Sequence, residues 1–553
     1  MIDFIQASTV VLILGVAIAL GRLIAPYVSK VFERTPSRLD RILDPVENTI
    51  YRVGGINPQR SMNWKQYALS LMFLNIVQMA LAFLIFMFQD KLPLNPQGFP
   101  GLNWDLAFMQ VISFATNTNL QHYNGETTLS YLSQMGAVQF LQFTSAASGI
   151  CAAVAFTRGF KVGSKDFGNF YVDFVRSLTR VLFPFCFIAA MILVWLGTPQ
   201  SLNGYTAVKT VEGATQMILV GPVASLVSIM QLGTNGGGYY GANSAYPLEN
   251  PTPATDIFQI LLMLLMPTVM CFVYGEMLGK RKETRPILWG SYALFAIDLV
   301  IAFVPNSSTL LGPGMEVRFG GFFSAFWTVV TTAVTTGSVN ASLYGMNQFV
   351  IVAAFMGMLI QSTPGGKGVG LMYMVMYVVI TVFIVGLMSG RTPEYLGMKI
   401  TGRDVLLVMV AFLVHPIIIL IPTLFAYASG AANAIGVSGN ALGFTQVLYE
   451  FTSAAANNGS DFFGSSANTM FFNISTGLVM FAGRFAPITI LMALSGAMIG
   501  RKRHVEIGLK TDTATFIVVL VGSIIILVAL TFFPFLALGP ILAWFQGHAT
   551  GFG

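Results

Sequence analysis

Stretches of about 20 largely apolar residues recur from one end of this chain to the other, each long enough to cross the hydrocarbon core of a bilayer. Ten are readable, at residues 4–27, 64–89, 129–157, 172–196, 254–279, 286–304, 345–388 (long and interrupted), 404–428, 470–499 and 513–546. Backbone in lipid has to satisfy its own polar groups, and spans of this length do so as helices. Charged residues make up only 9% of the chain, against roughly 25% in soluble domains. An all-α polytopic membrane protein is therefore expected. The first stretch follows Asp3, has no Lys or Arg before it and no small-residue cleavage pattern after it, so it reads as a retained helix rather than a signal peptide.

Positive charge orients such a bundle. Of the 29 Lys and Arg, 24 fall on one side of the ten spans, in the segments 22–65, 158–165, 176–180, 280–285, 391–403 and 501–510; only Lys91, Lys209 and Arg318 fall on the other. The crowded side is read as cytoplasmic, which places both termini on the outer, periplasmic side. The net charge of +6 follows from this topology, and without a concentrated basic face it excludes a nucleic-acid partner; the surrounding partner is membrane lipid. Cys151, Cys186 and Cys271 all fall inside spans without ligand or redox spacing, and read as small packing residues.

Between spans lie four outward segments too apolar for loops and too short to cross. They cover 106–115, 221–232, 322–334 and 447–456, and run respectively into Thr116-Asn117-Thr118-Asn119, Gly233-Thr234-Asn235-Gly236, Thr335-Thr336-Gly337-Ser338 and Asn457-Asn458-Gly459-Ser460. Counted from Thr116, Thr234, Thr335 and Asn457, the tips are 118, 101 and 122 residues apart. A recurring unit of spanning helix, re-entrant half-helix, polar tip and spanning helix predicts four repeats around one axis. All four enter from the same side, so the axis runs along the membrane normal, unlike the inverted repeats of many transporters. The division is 1–60 (N-terminal helix and basic segment), repeats at 61–165, 166–284, 285–402 (its second helix broken) and 403–510, and a C-terminal helix at 511–553.

Non-helical backbone at membrane depth survives only where it is buried in protein or lines a watery cavity, so four such tips imply a shared cavity. Gly, Thr and Asn allow carbonyl oxygens to be aimed inward. None of the tips holds Asp, Glu, His or Cys, which disfavours calcium and transition metals. Neutral carbonyls replacing a hydration shell suit a dehydrated monovalent ion, potassium ahead of sodium, with each half-helix turning its negative C-terminal end to it.

Several charges fall in unusual places. Glu126, Glu249 and Asp461 follow three of the tips and read either as acids that enrich cations at a mouth or as caps and solvated loop acids. Asp298 lies inside a span, where a carboxylate is a functional candidate by default; with no evident partner it reads as a helix-packing or interfacial residue. The seventh stretch breaks at Gln361-Ser362-Thr363-Pro364-Gly365-Gly366-Lys367-Gly368, where proline and glycine interrupt a helix; a gate or a side exit below the tips is expected there, the other reading being a simple kink with Lys367 snorkelling. Arg484 adds a second cation in mid-span, which suits a controlled pump better than an open channel. The chain has neither a Gly-x4-Gly-Lys-Ser/Thr phosphate loop nor an Asp-Lys-Thr-Gly phosphorylation motif, so no ATP hydrolysis and no catalytic residues are expected in it.

The segments Met62-Asn-Trp-Lys-Gln-Tyr67, Leu92-Pro-Leu-Asn-Pro-Gln97, Gly125-Glu-Thr-Thr-Leu-Ser-Tyr131, Gly233-Thr-Asn-Gly-Gly-Gly238 with Glu249-Asn-Pro-Thr252, Gly390-Arg-Thr-Pro-Glu-Tyr-Leu-Gly397 and Gly483-Arg-Phe485 resemble the potassium-binding A subunit (KdpA) family of the Kdp potassium-transporting ATPase. The resemblance implies a bacterial inner-membrane complex with a P-type ATPase B subunit, a single-span C subunit and a small F subunit. ATP would be used only by the partner, potassium would be the substrate, and no covalent cofactor would be present. It also implies high-affinity uptake. Its selectivity filter would comprise Thr116 to Asn119, Gly233 to Gly236, Thr335 to Gly337 and Asn457 to Gly459, with backbone carbonyls as ligands and Gln121 influencing affinity. The gate and tunnel would involve Gln361, Pro364, Gly365, Gly366, Lys367, Gly368 and Arg484. Three positions depart from the family's pattern: Thr335-Thr336-Gly337 replaces Ser-Cys-Gly, Ala456 replaces Asn, and the broken segment carries Gln361 and Lys367 in place of Gly-Glu-Val-Val-Phe-Gly-Gly. The rival reading is a stand-alone potassium channel or gradient-driven transporter of the four-repeat Trk/Ktr/HKT kind. A receptor or assembly scaffold is a third.

Overall fold

The structure is a computed structural model that describes residues 3–304, 310–366, 368–502 and 510–549. Ten helices among the described residues are long and apolar enough to span a membrane, and they match the ten sequence stretches one for one. Four times the chain runs through a long helix, a short helix, a polar tip and a second long helix, the third of these second helices being broken into Gln348–Ile360 and Val369–Met388. The short helices are Trp104–Ala115, Val223–Leu232, Gly320–Ala333 and Ala441–Ala455.

Burial separates the two kinds of long helix. The helices that follow the tips, Ser133–Phe160, Pro253–Leu278, Val369–Met388 and Met470–Met498, have 89, 78, 72 and 61% of their apolar window buried. The helices that precede them, Trp64–Met87, Phe170–Trp195, Arg281–Phe303 and Gly402–Ala428, have 33, 39, 56 and 33%. Every inner helix is thus more buried than any outer one, as expected when a ring of inner helices surrounds the tips and the outer helices meet lipid. Phe4–Phe32 packs along Pro253–Leu278, its Gly21 lying so close that an added Cβ would come within 2.7 Å of Thr268 Cγ2. The C-terminal helix Ala514–Leu536 lies against Arg281–Phe303 and Val369–Met388.

Several sequence motifs prove to be helix caps. Asn63 accepts a hydrogen bond from Gln66 N (3.0 Å) while its own N–H donates to Gln66 Oε1 (3.1 Å); this reciprocal pair satisfies two otherwise orphaned backbone donors. Thr252 opens Pro253–Leu278 in the same way with Thr255, and Pro253 at the first helical position gives up no hydrogen bond there. Thr469 and Thr513 cap the helices that begin at Met470 and Ala514.

Among the described residues, strand is confined to two antiparallel hairpins, Gly204–Lys209 with Thr215–Val220 and Glu394–Tyr395 with Met398–Lys399. The sequence reading missed both. The first carries β-branched Thr206, Val208, Thr215, Ile218 and Val220 on either side of a turn at Gly213, where φ is +85°.

Candidate functional site

The four tips share one backbone design. At the end of each short helix the N–H groups of Thr118, Asn235, Thr336 and Asn458 reach back to the carbonyls of Ser113, Met230, Thr331 and Ser453, at 2.9, 2.9, 2.7 and 2.8 Å. The preceding residues Asn117, Thr234, Thr335 and Asn457 all take left-handed φ values, 63, 48, 50 and 51°. Two positions later, Asn119, Gly236, Gly337 and Gly459 do so again, at 55, 84, 92 and 106°. The equivalent of Thr234 is therefore Asn117, one residue after the Thr116 from which the spacing was counted, and Thr116 aligns with Gly233, Val334 and Ala456.

The tips close into a ring in chain order. An added Cβ on Gly236 would overlap the Thr336 carbonyl, its carbon 2.6 Å away; one on Gly337 would meet the Asn458 carbonyl carbon at 2.6 Å; one on Gly459 would meet that of Thr118 at 3.0 Å. Each glycine thus lets the next tip's backbone approach closely. The first tip has Asn119 in place of glycine, and its amide donates to Gly236 O at 2.8 Å, completing the circle.

Side chains act as struts around this backbone. Asn117 Nδ2 donates to Thr234 O (2.8 Å), while its Oδ1 accepts from Asn235 Nδ2 (2.7 Å) and Ser145 Oγ (2.9 Å). Gln121 holds Gly238 from both ends of its amide, at 2.8 and 3.0 Å. Asn457 Nδ2 donates to Thr118 Oγ1 (3.0 Å) and Met480 O (2.9 Å), and Asn458 Nδ2 to Thr331 O (2.9 Å). Hydroxyls on the short helices hold the outgoing chain: Ser113 Oγ donates to Leu120 O, Thr331 Oγ1 to Ser338 O, and Ser453 Oγ accepts from Gly459 N. All the tip residues named from sequence, Thr116, Asn117, Thr118, Asn119, Gln121, Gly233, Thr234, Asn235, Gly236, Thr335, Thr336, Gly337, Asn457, Asn458 and Gly459, are brought together here, buried and without a carboxylate among them.

The broken seventh stretch runs beneath this ring. Helix Gln348–Ile360 ends at Gln361, whose φ is +55°, and the next helix begins at Val369. Thr363 Oγ1 donates to Ala333 O at 3.3 Å. A Cβ on Gly366 would strike the Val334 carbonyl and come within 2.9 Å of Thr234 Cβ; one on Gly368 would come within 2.9 Å of the Gly149 carbonyl carbon. The segment therefore passes from the third tip, under the second, to the inner helix of the first. Lys367 lies outside the described residues. Arg484, 2% exposed, donates to Ser145 O at 3.1 Å, and its neighbour Gly483 abuts the Ala455 backbone.

The acids after the tips are braces. Glu126 accepts from Gly241 N at 2.7 Å. Glu249, fully buried, accepts from Tyr239 N (3.0 Å) and Tyr240 N (3.3 Å), and burial pushes its carboxyl up to about 8. Asp298 is buried, with both oxygens lacking a hydrogen-bond partner among the described residues. The sequence reading missed His122 and Glu450, which meet at 3.1 Å across 328 residues. Glu450 could have been flagged, being the sole charged side chain in the fourth short helix.

Comparison with known proteins now bears on this ring. The family described as "Potassium-transporting ATPase A subunit" matches residues 10–545. The chain belongs to that family. It is 43% identical over 548 residues to a "Potassium-transporting ATPase potassium-binding subunit" of Caldanaerobacter subterraneus subsp. tengcongensis, covering 96% of this chain and 97% of the relative. Proteins of the same description from Gloeobacter violaceus (42% over 571 residues; 98% of each chain) and Alicyclobacillus acidocaldarius (45% over 530 residues; 93% and 94%) are similarly close. Membership in the A-subunit family favours the pump-subunit expectation over a stand-alone channel.

Proposed function

We propose that this chain is the potassium-binding and potassium-translocating subunit of an ATP-driven uptake pump in the bacterial inner membrane. Potassium is the substrate, held by backbone carbonyls of the four tips from Asn117, Thr234, Thr335 and Asn457 onward. The observation that carries this reading is the closed ring of four left-handed tips without a charged side chain. Such a ring offers fixed neutral dipoles, strong enough to replace water and weak enough to release the ion. Each short helix adds its negative C-terminal end. The four units 61–165, 166–284, 285–402 and 403–510 form the repeats around it, with both termini on the outer side.

The segment from Gln361 through Pro364, Gly365 and Gly366 to Gly368 acts as the gate, because an ion leaving the ring downward meets it first. ATP hydrolysis belongs to a P-type ATPase B subunit, accompanied by a single-span C subunit and a small F subunit. The names of the relatives, each a potassium-binding subunit of a potassium-transporting ATPase, support a partner that hydrolyses ATP. Rubidium anomalous scattering from the purified complex tests the site: density is expected on the axis of the four tips, and density only elsewhere would sink the reading. Co-purification tests the assembly, since potassium flux through this chain alone, without an associated ATPase, would argue for a channel.

A further inference from the structure

Beside the ring, on the side where the chain leaves the tips, His122 from the first tip's outgoing segment meets Glu450 of the fourth short helix and Asp461 just past the fourth tip. One donor atom from each of the three lies within 4.8 Å of the other two. The chemistry of the cluster is set by Asn473. Its Nδ2 donates to Asp105 Oδ2 and Asn468 Oδ1, both at 2.9 Å, so its amide orientation is fixed and Oδ1 faces the ring nitrogen His122 Nδ1 at 2.8 Å as an acceptor. His122 Nδ1 therefore carries a proton, and Nε2 faces Glu450 Oε1 at 3.1 Å. Either a second ring proton or a metal ion fills that contact, and the rest of the cluster decides between them.

Glu450 adds an independent sign. Its side chain is fully buried, and its Oε2 finds no hydrogen-bond partner among the described residues. An imidazolium at His122 would satisfy one carboxylate oxygen but leave that second oxygen and Asp461 uncompensated. A divalent ion neutralises both carboxylates and uses the free lone pairs. A histidine that donates one N–H to a fixed oxygen and turns its other nitrogen to the metal is the usual outer-shell arrangement. One imidazole with two carboxylates suits first-row metals such as zinc, and is too poor in oxygen for calcium.

We propose that His122 Nε2, Glu450 and Asp461 form a binding site for one first-row divalent cation of the zinc class, which ties the first tip's outgoing segment to the fourth short helix. Zinc–nitrogen and zinc–oxygen bonds of about 2.0–2.2 Å set tetrahedral ligands about 3.3 Å apart, so the cluster closes by a small movement of Asp461. That residue is the partly exposed member of the three and has its Oδ2 bound to Gly464 N at 3.0 Å. Water completes the coordination on its side.

The site is independent of the potassium reading, because its test measures zinc. The chelator-washed transport complex, equilibrated with zinc chloride and desalted, is expected to retain about one zinc ion per chain. Anomalous scattering at the zinc edge should place it between His122 and Glu450. Asn473→Leu, which removes the acceptor for His122 Nδ1 together with the hydrogen bonds to Asp105 and Asn468, should weaken zinc binding by roughly 10- to 100-fold; His122→Gln should weaken it further, and Asp461→His should exchange one ligand for another and keep the ion. Absence of zinc in the wild-type complex, a peak located elsewhere, or full retention by His122→Gln would overturn the proposal. The wild-type measurement stands even if a variant fails to assemble.

Discussion

Replacing Gly236 by alanine is expected to weaken rubidium or potassium binding by the assembled complex at least tenfold. Two costs combine. Gly236 has φ +84°, a conformation that costs an L-residue about 1–2 kcal/mol, and tenfold in affinity corresponds to about 1.4 kcal/mol. The new methyl would also overlap the Thr336 carbonyl. That carbonyl belongs to the next tip, so it moves only if the ring opens. Gly337→Ala and Gly459→Ala should behave alike, since each meets the carbonyl of its own successor. Gly522→Ala is the control, because an added Cβ there meets nothing within 4 Å. Potassium-stimulated ATPase titrations read the outcome, and an unchanged half-saturation in Gly236→Ala would show that this ring is not the binding site.

This ring was legible in the sequence because glycine or asparagine, which take left-handed backbone most readily, stands at six of the eight left-handed tip positions, Thr234 and Thr335 being the other two. The register of the first tip was not. Asn119 does there what glycine does in the other three, so aligning tips by composition placed Thr116 opposite Thr234. The backbone hydrogen bonds place Asn117 there instead. Helices were legible throughout, since apolar length alone specifies a span. The inner and outer assignment was less so, because hydropathy responds equally to lipid and to a packed protein interior. The His122 and Glu450 meeting was invisible for a topological reason: ring closure brings the first repeat against the fourth, and no local pattern records a contact made across 328 residues. Glu249 shows the limit of reading charges by position. It follows a tip, as a mouth acid would, yet it is fully buried and spends its carboxylate on two backbone N–H groups.

Arg484→Gln is expected to let potassium leak through the complex without ATP, by about tenfold over wild type in rubidium-flux measurements on proteoliposomes. The guanidinium is buried, forms no ion pair among the described residues and makes its hydrogen bond to Ser145 O. Ser145 in turn holds Asn117 through its hydroxyl. The positive charge is therefore fixed at the level where the short helices end, on the way out of the ring. At an effective dielectric constant of about 20, two unit charges roughly 8 Å apart repel by about 2 kcal/mol, which lowers ion occupancy there by roughly 30-fold. Glutamine keeps a donor for Ser145 O but removes that barrier. Arg484→Lys keeps the charge and should stay close to wild type in leak. A leak unchanged in Arg484→Gln, with ATPase activity lost in both variants, would mean that the residue serves to pack the inner helices and does not act on the ion.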